Sequence, residues 1–246
     1  MKNQLFLSIG MPRAGSGWHY NLIHDLVVAA GGQDARQIRE RFHLERFLTE
    51  VNCNIGTLKP FRLLPVYFPT LLGNSFAIKT HAGPTRTALS LIQQGRIVAI
   101  YIFRDPRAAL LSAYEYGQRG IERNKANAFS DLTSLEKAKD FMQRYVAIWA
   151  LWANFNCVLT VRYEDMVNNY DQEIYRLVGF MGSEKSKEIF QEVIDKYRPE
   201  RGDQGIKGMH FSKGQIERFR SVFSTEQLEQ FTQAFLPAIE QMGYVQ

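Results

Sequence analysis

Two cysteines in 246 residues, Cys53 and Cys157, are too few for a disulfide framework and stand at no metal-ligand spacing. Neither a stapled secreted domain nor a cysteine-bound metal centre is expected, and a reducing, cytoplasmic setting is. No apolar run approaches the ~18–20 residues that span a bilayer. The N-terminal apolar stretch is broken by Gly10, Pro12 and Arg13, too soon for a signal peptide, so no membrane partner is expected. Dense Lys/Arg tracts are missing as well. The net charge of +5 therefore suits an anionic small ligand, or plain solubility, rather than nucleic acid. There is no internal repeat and no low-complexity tract. What remains, 45% apolar and 22% charged, is the composition of a globular chain with a substantial core, expected as one domain over residues 1–246.

Short apolar runs alternate with helical periodicity. Strands are predicted at Leu5–Ile9, Phe76–Lys79, Ile97–Phe103 and Val158–Tyr163. Helices are predicted at Gly17–Ala30, Thr85–Gln94, Pro106–Gln118, Leu135–Phe155, Met166–Met181, Glu184–Tyr197 and Thr225–Met242. The pairs Thr133…Glu136 and Ser224…Gln227 read as capping boxes at two helix starts. This alternation implies an α/β fold, a parallel sheet with helices on both faces, and ligands beyond the carboxyl ends of the strands. Residues 52–73, 117–130 and 199–214 lack strong pattern and are expected to be lid or acceptor loops.

The most informative stretch joins the first strand to the first helix. Gly10 and Gly15 have the spacing of a kinase-type P-loop, but Ser16-Gly17 stands where Lys-Ser/Thr would be, and the loop's cation is Arg13. A strand, a glycine-rich turn and a helix N-terminus converge backbone N–H groups on one point and add the helix dipole. The loop is thus P-loop-like, built for a phosphate-like group without the usual ATP and magnesium equipment.

Other polar residues also follow strands. Ile97–Phe103 ends in Arg104-Asp105-Pro106, where Asp105 and Pro106 suit a helix start. Arg104 emerges into the crevice, and Ser112, two turns on, can share an anion with it. A kinase would place a magnesium-binding Asp directly after such a strand. Phe76–Lys79 is followed by Thr80-His81, so a cation and a candidate general base leave one strand end together. His19, His24 and His43 show no metal spacing, Glu164 and Asp165 suit a helix N-terminus, and Trp149 and Trp152 suit core packing.

These pieces, in this order, resemble the sulfotransferases that use 3′-phosphoadenosine 5′-phosphosulfate (PAPS). The family's P-K-S-G-T-T-W is similar to Pro12-Arg13-Ala14-Gly15-Ser16-Gly17-Trp18, and its K-T-H to Lys79-Thr80-His81. Its R-N/D-P-x-D-x-x-x-S-x-Y resembles Arg104-Asp105-Pro106 through Ser112 and Tyr114, and its Y-E-D-M matches Tyr163-Glu164-Asp165-Met166. Its late R-K-G, with an aromatic five residues on, resembles Ser212-Lys213-Gly214 followed by Phe219. Arg13 replaces the usual Lys, as in the tyrosylprotein branch; Ser16-Gly17 replaces Thr-Thr, and Ser212 replaces Arg.

The resemblance implies that Arg13, Ala14, Gly15, Ser16 and Gly17 hold the 5′-phosphosulfate, with adenine beside Trp18. Arg104, Ser112, Tyr163 and the segment His210, Phe211, Ser212, Lys213 and Gly214 would hold the rest of the nucleotide, the 3′-phosphate falling to Arg104, Ser112 and Lys213. It implies His81 as general base, Lys79 at the sulfuryl oxygens, Arg13 at the leaving phosphate, no metal, and adenosine 3′,5′-bisphosphate as product. The acceptor is expected to be a small molecule with a hydroxyl, phenol or amine. A small-molecule or nucleoside kinase with a divergent P-loop, and a non-catalytic nucleotide-binding protein, are the alternative readings.

Overall fold

A computed structural model describes residues 3–182, 187–202, 205 and 216–244. In chain order the elements are β1 (Leu5–Gly10), α1 (Ser16–Ala29), α2 (Ala35–Arg41), β2 (Asn54–Ile55), α3 (Pro60–Leu71), β3 (Phe76–Thr80), α4 (Arg86–Gln93) and β4 (Ile97–Phe103). There follow α5 (Pro106–Glu122), α6 (Leu135–Ala153), β5 (Val158–Arg162), α7 (Tyr163–Asn168), α8 (Tyr170–Phe180), α9 (Lys187–Lys196), a 3-10 turn at Pro199–Arg201, α10 (Phe219–Val222) and α11 (Thr225–Gln241).

The five strands form one parallel sheet in the order β2-β3-β1-β4-β5, with helices on both faces, as the alternating pattern predicts. Every residue of β1 and β3 is buried, and β4 nearly so, which is why these strands read as continuous apolar runs. β1 lies in the centre, and the chain leaves it toward β3 on one side and β4 on the other. The register levels their ends: Ile9 pairs with Thr80 and with Tyr101, and Gly10 with Ile102. Residues following all three strands therefore meet at one edge, the switch point where open parallel sheets place their ligands. Among the described residues no helix is long and apolar enough to cross a membrane.

Several elements differ from the sequence pattern. The stretch 52–73, expected to be irregular, holds β2 and α3. Pro60 occupies the first turn of α3, and Pro65 and Pro69 lie inside it. They mask the helical spacing of Leu63, Val66, Tyr67 and Thr70, whose burial holds the helix together against its propensity. α5 runs past Gln118 to Glu122, and the following loop folds back onto it. Gly117 permits this approach, since a Cβ there would lie 2.2 Å from the Phe129 carbonyl oxygen. The helix expected over Met166–Met181 is divided at Asn169 into α7 and α8. The Ser224–Gln227 capping box forms in full, whereas α6 is capped one residue later than expected, by Ser134 accepting from the Lys137 N–H.

Candidate active site

The site begins where β1 ends. A Cβ on Gly10 would lie 2.7 Å from the Ser16 Cβ, so only glycine lets the loop curl this tightly before α1. Gly15 has φ +75°, and a side chain there would meet the Tyr163 ring at 2.8 Å. Arg13 also sits in the left-handed region, at φ 64°, an uncommon conformation for a residue with a Cβ. The first intrahelical bond of α1 runs from the His19 N–H to the Gly15 carbonyl. The N–H groups of Ser16 and Gly17 precede it and have no intrahelical partner. They line a cavity of about 530 Å³ at the carboxyl edge of the sheet.

Around that loop stand polar groups from three elements. Lys79 and His81 come from the end of β3, Arg104 from the end of β4, and Ser112 and Arg119 from α5. The Arg13 Nε–H donates to Ser112 Oγ at 3.2 Å, and its guanidinium lies 4.4 Å from the Tyr116 ring centre. Arg104 Nη1 reaches the Arg13 carbonyl at 3.5 Å, and its guanidinium lies 4.5 Å over the Tyr163 ring. Among the described residues no carboxylate lines the cavity. Glu164 stands behind Arg104 with 4.0 Å between Oε1 and Nε, and Glu115 pairs with Arg218 and Arg119.

The crowding of buried cations has an electrostatic signature. Burial lowers the Arg13 guanidinium to about 10; Arg119 and Arg104 add to the fall, and Tyr116 opposes it. Burial, with the charge of Arg13, lowers the Lys79 ammonium to about 8. Burial and the charge of Lys79 lower His81 to about 3, opposed by its bond to the Gly10 carbonyl, 2.5 Å from Nδ1. Arg13, Lys79 and Arg104 thus gather positive charge in a low-dielectric site, an arrangement that favours binding of an anion.

The structure places the remaining sequence candidates as follows. Trp18 borders the cavity but is 2% exposed; its indole N–H donates to the Tyr197 carbonyl at 2.9 Å, and its ring stacks on Tyr170 and meets Tyr163 edge-on. It buttresses Tyr163 from behind. Ala14 is fully buried and does not line the cavity. His210, Phe211, Ser212, Lys213 and Gly214 lie outside the described residues. Asp105 caps α5, accepting the Arg107 N–H at 2.8 Å. Glu164 does more than face a helix dipole: it is buried and accepts the Asp105 N–H at 3.3 Å and the Tyr244 hydroxyl at 2.6 Å. Trp149 and Trp152 are core residues, and the Trp152 indole N–H donates to the Ala82 carbonyl, just past His81.

Tyr116, Arg119, Phe129, Asn52 and Arg218 line the cavity without having been singled out in the sequence. Two were detectable: Tyr116 and Arg119 lie four and seven residues beyond Ser112, on the same face of α5. Phe129 reaches Arg13 only because its loop folds back over Gly117, a tertiary event with no local signal. No group of three or more His, Cys, Asp or Glu side chains that could hold a metal occurs among the described residues.

A parallel sheet whose central strand ends in a glycine-spaced, cationic turn at a helix N-terminus defines a P-loop-like phosphate-binding protein. Within that class, the sulfotransferase-domain profile matches residues 4–243, and the chain belongs to the sulfotransferase family. No curated protein matches it. Among solved structures it is similar to mouse sulfotransferase SULT7A1 complexed with PAP, with TM-score 0.60 and 16% identity over 96% of this chain and 83% of that one. It is also similar to retinol dehydratase in complex with androsterone and the inactive cofactor PAP, with TM-score 0.58 and 18% identity over 99% and 82% of the two chains. A third is sulfotransferase STF9 from Mycobacterium avium, with TM-score 0.52 and 12% identity over 99% and 77%. At these identities the structures show a shared fold.

Proposed function

We propose that this sulfotransferase moves the sulfuryl group of PAPS to a hydroxyl or amine of a small-molecule acceptor in the cytoplasm, with His81 as general base. The observation that carries the reading is the His81–Gly10 bond. A carbonyl oxygen only accepts, so Nδ1 holds the imidazole proton and Nε2 is left with its lone pair. The lowered pKa keeps the ring neutral at pH 7. His81 lines the same cavity as the loop N–H groups, and Trp152 and Tyr145 of α6 fix its surroundings.

The residues present fit the donor. PAPS carries a phosphosulfate and a separate 3′-phosphate, and the cavity offers cations with no lining carboxylate among the described residues. The Ser16 and Gly17 N–H groups, with Lys79, hold the phosphosulfate; Arg104 and Ser112 take the 3′-phosphate. Arg13 reaches from the loop to Ser112 and so serves both ends. As the acceptor attacks sulfur in line, the bond from sulfur to the bridging phosphate oxygen breaks and Nε2 takes the acceptor's proton. Charge builds on the leaving oxygen, where preorganised donors contribute about 3–4 kcal/mol each. A kinase needs a carboxylate for magnesium near these phosphates, and the β4 end presents Arg104 instead. The free thiols Cys53 and Cys157 suit a reducing compartment.

Thermal unfolding tests the donor assignment. Adenosine 3′,5′-bisphosphate at 100 times its Kd is expected to stabilise the protein by roughly 2.7 kcal/mol, and AMP at the same concentration far less. Equal shifts from the two, or a larger one from Mg-ATP, would contradict the reading.

A further inference from the structure

Most surface helices bury one face and present charge on the other; α3 buries one face but presents apolar side chains on the other. Its inner face buries Leu63, Val66, Tyr67 and Thr70. Its outer face carries Phe61, Leu64, Phe68, Leu71 and, just past its end, Leu72, at the i, i+3, i+7, i+10 and i+11 spacing of a single stripe. Phe61 is 65% exposed, Phe68 51% and Leu72 59%. An apolar patch of this extent marks an interaction surface.

The charge of the chain segment that carries the stripe is of one sign. Residues 51–104 contain no Asp or Glu, while Lys59, Arg62, Arg86 and Arg96 belong to α3, to α4 packed against it, or to their ends. Lys59, Arg86 and Arg96 are exposed, and Arg96 Nη1 lies 3.5 Å from the hydroxyl of Tyr67 on α3. We propose that α3 is an interfacial helix that lays Phe61, Leu64, Phe68 and Leu71 into an anionic lipid surface, with Lys59, Arg62, Arg86 and Arg96 at the headgroups.

Lipid fits this face better than protein does. A second copy of this chain, docked about a two-fold axis, would bring the same cations face to face, with no acid on either helix to offset them. A protein partner would find no hydrogen-bonding side chain among the exposed positions from Phe61 to Leu72, whereas protein interfaces carry about one hydrogen bond per 100–200 Å². A bilayer surface needs neither shape nor hydrogen bonds, only apolar area and cations. The sequence lacks a spanning segment, but a helix lying in the interface requires none. Membrane docking through α3 involves neither donor nor acceptor and stands apart from the proposed reaction.

Flotation of the full chain with vesicles tests it. The protein is expected to float with phosphatidylcholine mixed with phosphatidylglycerol, to stay down with phosphatidylcholine alone, and to be released by added salt. Phe61→Ser/Phe68→Ser should lower the bound fraction roughly tenfold or more. Lys59→Glu/Arg86→Glu should lower it too, through charges that leave the core untouched. Circular dichroism melting confirms that each variant folds; should the Phe pair fail, the charge pair and the wild type decide. The proposal is overturned if wild type ignores the mixed vesicles, or if a folded variant floats as well as wild type. It is equally overturned if light scattering shows a dimer that Phe61→Ser/Phe68→Ser dissolves while vesicles capture nothing.

Discussion

The His81 ring hangs from the main chain of another strand: its Nδ1 lies 2.5 Å from the Gly10 carbonyl oxygen, joining the residue after β3 to the last residue of β1. That contact sets the tautomer, and burial beside Lys79 sets the pKa at about 3 in the free protein. In the proposed reaction neutral imidazole is the working form, so acid is expected to remove activity only as pH falls through that value. kcat/KM, which reports the free enzyme, should stay level across mildly acid pH and fall only near pH 3. The corresponding limb in kcat should lie higher, because bound donor places negative charge beside the ring. A break in kcat/KM near 6.5 would show that Lys79 and burial do not act on this histidine.

Lys79 is expected to set the other limb. With its ammonium lowered to about 8 by burial and Arg13, kcat/KM for the donor should decline above pH 8 as the charge is lost. Lys79→Arg keeps a cation that does not titrate in this range and should abolish that decline, whatever it does to the absolute rate. A variant that keeps the limb would place its origin elsewhere.

Arg104 is held in place before any ligand arrives, over the Tyr163 ring and against the Arg13 carbonyl. In the proposed site its contact with the 3′-phosphate would be made in the ground state as well as the transition state. Arg104→Ala should therefore raise the KM for the donor more than it lowers kcat. Calorimetry should show about tenfold or greater loss of affinity for adenosine 3′,5′-bisphosphate, from the 1.5–3 kcal/mol of a charge-assisted hydrogen bond. Unchanged affinity would remove Arg104 from the nucleotide site.

Tyr244, near the end of the chain, is tied to this region through Glu164, to which its hydroxyl donates at 2.6 Å. Burial raises the Glu164 carboxyl, opposed by that bond and by Arg104. Tyr244→Phe leaves a buried carboxylate short of a donor and should cost about 1–3 kcal/mol of stability at pH 7, measured by urea unfolding. The variant's Glu164 gains protons more readily than the wild type's, so the deficit should shrink as pH falls. A deficit that grows on acidification would contradict this account of Glu164.

The sheet was legible because β1, β3 and β4 are buried on both faces and show as plain apolar runs between turn residues. The phosphate loop was legible because Gly10 and Gly15 are local requirements, one for close approach and one for a left-handed φ. α3 was hidden by Pro65 and Pro69, which propensity counts against a helix and burial overrules. β2, two residues long, exists only as a partner of β3. Within the site, residues just past strand ends could be named from the strand pattern alone. Arg218 and Phe129 enter the cavity from distant segments, and the Arg13–Ser112 bond joins residues 99 positions apart, so nothing local announces them.

The most direct test of the reaction is His81→Ala, assayed by mass spectrometry for transfer of one SO₃ from PAPS to an unactivated alcohol, beside calorimetric binding of adenosine 3′,5′-bisphosphate. The account predicts near-normal nucleotide affinity with kcat lowered about 10²–10⁴-fold, and a smaller loss with an acidic phenol that needs less help to ionise. A variant that binds nucleotide normally and keeps more than about a tenth of wild-type kcat on the alcohol would contradict it.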